Sequence, residues 1–244
     1  MAETHSSILT PAVFELWQEY GRAALGPFEV DDATLYRDIV HAVSAASRWR
    51  GGAPQRSESF VRFAETLWNR LGAGWFALKS VPMPQATFAA TGEVRPVEIR
   101  YSAASGGNAV VWRKPIGAIW TSSFLPDGAS AWQYGEASEF SAAGRRLYSV
   151  SCDPGVLRLF LIDSLDDWGE LVERFPIDYD DGTIGVDWPV ASQTLDAVRL
   201  TTRGLVYAEN VTIPGRPRIA KLEGWSAEST AWLRLPSSFR MAAA

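Results

Sequence analysis

The sequence predicts an α+β protein in which a helical N-terminal flank is followed by a sheet-dominated region. Up to about Leu71 the apolar residues recur every three or four positions, which is typical of amphipathic helices. Beyond about Ala90 they alternate with polar residues or form short runs rich in valine, leucine and isoleucine, as strands do. These patterns divide the chain into a helical region, residues 1–90, and a mixed α and β region, residues 91–244.

Three amphipathic helices are predicted in the first region. The first begins at Thr10–Pro11, an N-cap followed by proline at the first helical position, and the second begins at Asp31 or Asp32. A loop at residues 51–54 precedes the third. The three apolar faces are formed by Val13, Leu16, Trp17 and Tyr20, by Leu35, Ile39, Val40 and Val43, and by Phe60, Phe63, Ala64, Leu67 and Leu71. Such helices form a bundle or cover another layer of structure.

Short strands and one helix are predicted in the second region. Alternation at residues 96–101 predicts one strand, and residues 118–120 predict another that stops at the hydroxyl run 121–123. The strongest strand, residues 156–162, ends at Asp163, which can cap a helix over residues 164–175. Three further strands are predicted at residues 197–200, 205–207 and 230–235.

Composition limits the classes of function. Hydrophobic residues make up 47% and charged residues 21%, so we expect a packed globular core. The net charge of −5 argues against a protein that coats nucleic acid with positive charge. No stretch approaches the roughly 18 apolar residues of a membrane span, and the first residues lack the basic and apolar parts of a signal peptide. We therefore expect a cytoplasmic protein with no membrane partner, and export without a cleaved signal stays open.

Several kinds of catalytic site are improbable in this sequence. The only histidines are His5 and His41, so a serine hydrolase with a histidine base and a zinc site are both disfavoured. The single cysteine, Cys152, excludes an internal disulfide and a multi-cysteine metal site. The sequence has no Gly-x-x-x-x-Gly-Lys loop that could hold a phosphate, and no Gly-x-Gly-x-x-Gly motif after a strand. Any catalysis must therefore use carboxylates, arginines and hydroxyls.

Three elements contain the candidate site residues. Glu228 lies at the start of the last predicted buried strand, directly after a Gly-Trp turn. Upstream are Arg100, in Val-Glu-Ile-Arg-Tyr-Ser, and the Trp-Thr-Ser-Ser run at residues 120–123. An arginine, a hydroxyl-rich strand and a late glutamate, in that order, resemble the ADP-ribosyltransferase fold. The resemblance covers residues 93–235, and its segments are also similar to those of small bacterial proteins placed among ADP-ribosyltransferase-like proteins.

The resemblance implies an ADP-ribosyltransferase-like core that binds NAD as substrate and cleaves the bond between nicotinamide and ribose. In that reaction Glu228 would stabilise an oxocarbenium-like state, and Ser122 would hydrogen-bond the glutamate. Arg100 would grip a phosphate or a ribose edge. The other NAD-binding residues that the resemblance implies are Tyr101, Trp120, Thr121, Ser123 and Phe124, of which the three aromatic residues could stack on nicotinamide.

The acceptor of ADP-ribose stays open in the sequence. Proteins of this family often carry an acidic residue or a glutamine two positions before the glutamate, and Ser226 stands there. Its presence points away from transfer to arginine and towards another acceptor, which could be a protein, nucleic acid, a small molecule or water. A bacterial toxin or effector fits this chemistry, with the N-terminal helices gating the cleft, docking a target or contacting a neutralising protein.

Other interpretations of the same residues also remain. Arg100 suits the solvated face of a strand, residues 121–123 suit a loop, and Glu228 suits a cap at the surface. Glu136 and Glu139 are the alternative acidic residues for the cleft. The eleven tryptophans suit a module that binds carbohydrate or nucleotide, and the helices suit a protein-docking surface. A glycoside hydrolase with paired carboxylates is the weakest alternative.

Overall fold

The structure, a computed structural model, describes residues 8–23, 26–27, 29–48, 56–77, 79–94, 97–100, 113–134 and 144–244. Tyr101, Glu136, Glu139 and the predicted loop 51–54 therefore lie outside the described residues.

The described residues form six α-helices, all short or of medium length. Their bounds are α1 Pro11–Ala23, α2 Asp32–Ala46, α3 Glu58–Leu71, α4 Leu165–Arg174, α5 Trp188–Thr194 and α6 Thr202–Tyr207. The Asp31 carboxylate caps α2, as predicted, and accepts the N–H of Thr34 at 2.9 Å. The Ser57 hydroxyl caps α3 and accepts the N–H of Phe60 at 3.2 Å. The three predicted N-terminal helices are thereby confirmed.

Nine strands are described, seven of them in one mixed sheet. Their bounds are β1 Gln85–Ala89, β2 Ile119–Ser123, β3 Arg146–Ser151, β4 Leu159–Ile162, β5 Pro176–Asp178, β6 Ile184–Val186, β7 Ala197–Leu200, β8 Ser229–Trp232 and β9 Arg240–Ala243. The large sheet has the order β4-β7-β8-β2-β1-β3-β9, and β5 pairs with β6 in a separate ribbon. Only β4 and β7 pair in parallel among the described strands, so β8 and β2 lie near the middle of a largely antiparallel sheet.

The helices and the large sheet share one hydrophobic core. Buried side chains of α1, α2 and α3 belong to the same cluster as Val198, Leu200 and Ala231 of β7 and β8. A smaller cluster around Ala197 and Trp232 covers part of the other face. The chain is therefore an α+β protein with N-terminal helices, as the sequence predicts.

The boundary predicted at residue 90 falls just after a strand of this sheet. Strand β1 ends at Ala89, and it lies between β2 and β3. Among the described residues, no helix has the length and apolarity needed to cross a membrane.

Five local predictions differ from the structure. The predicted strand 205–207 is part of α6, because the Thr201 hydroxyl accepts the N–H of Gly204 at 3.0 Å and caps a helix there. Strand β2 continues through the hydroxyl run to Ser123, and β4 begins only at Leu159. Of the strand predicted at residues 96–101, the described part forms a single bridge, at Arg100.

The fifth difference concerns the cap of α4. The Ser164 hydroxyl, and not Asp163, accepts the N–H of Asp167 at 3.3 Å. The Asp163 carboxylate instead accepts a hydrogen bond from Thr201 at 2.6 Å and pairs with Arg203. It therefore ties the end of β4 to the start of α6.

Candidate functional site

Glu228 lies beside the hydroxyl-rich strand β2, fully buried. Its carboxylate accepts the backbone N–H of Ser123 at 2.9 Å and the Ser123 hydroxyl at 3.0 Å. Strand β8 begins at the next residue and pairs antiparallel with β2. The carboxylate is therefore held by two donors from the last residue of β2.

The positive partner of Glu228 is Arg199, which the sequence analysis did not single out. Arg199 lies on β7, is 3% exposed, and forms an ion pair with the Glu228 carboxylate. Its guanidinium also donates to the Ser123 hydroxyl at 3.3 Å and to the Thr230 hydroxyl at 3.5 Å. Arginine and glutamate are rarely buried unless they are paired, and here each is paired with the other.

A continuous layer of polar side chains extends from this pair across the sheet. Gln85 on β1 donates to Thr230 at 3.2 Å and accepts from Thr121. The Trp232 indole donates to the Thr121 hydroxyl at 2.8 Å. The layer thus joins β7, β8, β2 and β1 on the face of the sheet that carries Glu228 and Ser123. The Nε of Arg199 is its one buried side-chain atom without a hydrogen-bond partner among the described residues.

The helical layer also contacts Glu228. Tyr36, on α2, is fully buried, and its hydroxyl accepts the backbone N–H of Glu228 at 3.0 Å. Burial, reinforced by the charge of Glu228, raises the pKa of the Tyr36 hydroxyl well above its ordinary value. Tyr36 is therefore a neutral phenol that holds Glu228, the residue directly before β8, against α2.

A cavity of about 440 Å³ opens on the opposite face of the same strands. Its aromatic lining residues are Phe88 and Trp120, which are half-buried, and Trp132 and Trp225, which are buried. Trp120 and Trp225 meet edge to face with ring centroids 4.8 Å apart, and the Trp132 indole donates to the Ser229 hydroxyl at 2.8 Å. The volume lies in the range of small-molecule sites, roughly 300–1,000 Å³.

Two cationic side chains, Lys114 and Arg145, complete the polar part of the lining. The Lys114 ammonium lies 5.3 Å from the centroid of the Trp120 ring, a cation–π contact that holds it against the cavity wall. The described residues of the lining include no acidic side chain.

A tight turn before β8 presents Trp225 to the cavity. Ala227 donates its N–H to the Trp225 carbonyl at 2.7 Å, and Ser226 between them has a φ of 61°. The buried Glu209 carboxylate accepts the N–H of Ser226 at 3.0 and 3.2 Å. A non-glycine residue at positive φ costs free energy, so Glu209 compensates for a strained turn beside the site.

The structure distributes the predicted residues of β2 over two faces of the sheet. Side chains alternate along a strand, so Trp120 and Ser122 lie on the cavity face, and Thr121 and Ser123 lie in the polar layer. The Ser122 hydroxyl is 3.0 Å from that of Ser130. The hydrogen bond predicted from Ser122 to Glu228 is therefore made by Ser123.

The remaining predicted residues lie apart from Glu228. Arg100 exchanges backbone hydrogen bonds with Ile116, at 2.9 and 2.8 Å, three residues before β2 begins, and its side chain is exposed. Glu228 contacts the other end of β2, so the structure does not bring the two together. Phe124 is half-buried beyond β2, and its carbonyl accepts the Trp75 indole N–H at 3.0 Å. Of the predicted stacking residues within the described ranges, Trp120 alone lines the cavity.

Sequence reasoning missed Arg199 and the cationic lining, and only Arg199 left a clear signal. Arg199 interrupts the otherwise apolar run Ala-Val-Arg-Leu of β7, and a charge inside a fully buried strand requires a buried partner. Lys114 and Arg145 lie outside the strands, where the sequence gives no indication of what they face. Within the described ranges no three histidine, cysteine, aspartate or glutamate side chains are grouped as metal ligands would be.

Comparison with known proteins identifies no relative of this chain. No family model, no curated protein and no solved structure matches it significantly. The resemblance to ADP-ribosyltransferases stays a prediction that depends on the order of Arg100, residues 120–123 and Glu228.

Proposed function

We propose that this protein binds a small molecule with a flat, apolar ring in the cavity over one face of β1, β2 and β8. The single observation that carries the proposal is the aromatic wall formed by Phe88, Trp120, Trp132 and Trp225 around a space of about 440 Å³. Aromatic side chains supply rigid contact area for a flat ligand.

NAD is the first candidate for this ligand, because the sequence resemblance implies it and its chemistry suits the cavity. Its nicotinamide and adenine rings can pack on indole walls. Its pyrophosphate is an anion that Lys114 and Arg145 can attract.

The binding proposal predicts a saturable site that depends on Trp120. We expect the apolar dye N-phenylnaphthylamine to bind at one site per chain with a rise in fluorescence, and NAD to displace it. Trp120→Leu should weaken dye binding about tenfold, the effect of losing one aromatic contact. Trp17→Leu is the matched control, since Trp17 packs against Phe14 and Phe60 in the helical layer, away from the cavity.

Two results of this titration would overturn the binding proposal. One is an absence of saturable dye binding by the folded protein. The other is an equal loss of affinity in Trp120→Leu and Trp17→Leu. Circular dichroism and the melting temperature verify that each variant is folded.

NAD cleavage is the second candidate function, and one contact favours it. The resemblance implies that Ser122 holds the glutamate. The neighbouring Ser123 does so instead, and donates both its N–H and its hydroxyl to Glu228. The carboxylate points away from the cavity and pairs with Arg199. Cleavage of NAD bound in the cavity therefore requires the segment that carries Glu228 to rearrange, so that the carboxylate leaves Arg199 and reaches the cavity.

The cleavage proposal predicts that the purified protein releases nicotinamide from NAD and that Glu228→Gln does not. The loss of a charge-stabilising carboxylate typically lowers kcat by about a hundredfold or more. The NAD-induced shift in melting temperature should persist in Glu228→Gln, because Glu228 does not line the cavity. Equal release by wild type and a folded Glu228→Gln protein would contradict the proposal. Binding of NAD without release would leave the binding function alone.

A further inference from the structure

We infer that the occupant of the cavity is an aromatic anion whose negative group lies between Lys114 and Arg145. This inference rests on the proposed binding function and adds the charge and the orientation of the ligand. The ring would contact Phe88 and Trp120, the two half-buried aromatic residues of the lining, and the anionic group would face the two cations.

The charge of the lining is the first argument. The whole chain carries a formal net charge of −5, yet both charged side chains among the described lining residues are cations. Two cations at one cavity attract anions locally and raise their concentration at its mouth. The apolar walls beside the half-buried Lys114 reduce the water that screens its charge, which strengthens its interaction with an anion.

The placement of Lys114 is the second argument. Its ammonium is held 5.3 Å from the Trp120 centroid, and thus at the boundary between the aromatic wall and the cationic part of the lining. A ligand that touches the indole therefore has a cation within reach of any charged substituent on its ring. Arg145 is exposed and also lines the cavity. An arginine fork binds phosphate, sulfonate and carboxylate groups with two parallel hydrogen bonds.

Two dyes that differ by one sulfonate test the inference. N-phenylnaphthylamine is neutral, and anilinonaphthalene sulfonate has the same ring system with a negative charge. We expect Lys114→Gln to weaken binding of the sulfonate dye about tenfold, the loss of one charge-assisted hydrogen bond, and to change the affinity for the neutral dye less than about twofold. Arg145→Gln should act in the same direction. Lys79→Gln, which removes an exposed lysine outside the lining, is the control for net charge.

Ionic strength provides an independent readout on the wild-type protein. Raising the salt from about 20 mM to about 500 mM should weaken binding of the sulfonate dye and leave the neutral dye unaffected, since salt screens only the charged contact.

The outcomes separate the inference from the binding proposal. Failure of both dyes to bind would overturn the binding function itself. Binding of both dyes, with sulfonate affinity insensitive to salt and to Lys114→Gln and Arg145→Gln, would retain the binding function and overturn the aromatic-anion inference. An equal effect of Lys79→Gln would assign the salt response to net charge and would also overturn it.

Discussion

Arg199→Met is expected to lower the free energy of unfolding by about 3–5 kcal/mol, the usual cost of leaving one partner of a buried ion pair without the other. Glu228 is fully buried, so its carboxylate has no access to water when the guanidinium is removed. The Ser123 donors remain, but they do not neutralise the charge. Equilibrium unfolding in urea measures the change.

A double-mutant cycle with Glu228→Gln shows whether the pair is the cause. We expect Arg199→Met/Glu228→Gln to be more stable than the sum of the two single effects implies, because it leaves no unpaired charge. Arg62→Met is the control for loss of an arginine. It breaks an exposed pair with Glu58 on α3 and should cost less than about 0.5 kcal/mol. Strictly additive single effects would show that Arg199 and Glu228 do not interact as described.

Gly204→Ala is expected to destabilise the protein by about 3 kcal/mol or more, as severe overpacking of a core does. A Cβ at Gly204 would overlap the Ile162 carbonyl oxygen, and it would lie 2.9 Å from the carbonyl carbon and 2.8 Å from the Leu200 side chain. The Ile162 carbonyl also accepts the N–H of Thr201 at 3.1 Å, so it cannot move without loss of a hydrogen bond. Thermal or chemical unfolding measures the effect.

Gly21→Ala is the matched control for the same chemical change. Gly21 lies within α1, and a Cβ there meets nothing within 4 Å. Alanine in a helix interior is favoured over glycine by roughly 0.5–1 kcal/mol, so this variant should be slightly more stable than wild type. If Gly204→Ala were as stable as Gly21→Ala, the close approach of α6 to β4 would be wrong.

The sequence predicted the helical layer well because its signals are local. The cap at Asp31 and the spacing of apolar residues each involve neighbours within a single helix. The short apolar run 205–207 was misread because three residues cannot distinguish a strand from a helix by period alone. The Thr201 hydroxyl that caps α6 was the available local signal.

The candidate site was predicted less well because it depends on contacts between distant strands. In the sequence, residues 121–123 suit the start of a loop. In the structure their hydrogen-bond partners are Gln85, on β1, and Glu228, directly before β8. The contact of Glu228 with the hydroxyl-rich strand was predicted, but through Ser122, whereas Ser123 makes it. Which serine reaches the glutamate depends on the pairing register, and a shift by one residue places the opposite face of the strand towards its partner.

Strand β8 separates the cavity on one face of the sheet from the buried ion pair on the other. The turn at Ser226 places Trp225 in the lining of the cavity, and Glu228, three residues after Trp225, belongs to the polar layer. Any molecule that presses on Trp225 therefore acts on the backbone that carries the ion pair. A ligand that binds the cavity should raise the melting temperature, so the melting temperature can be used to search for the natural ligand.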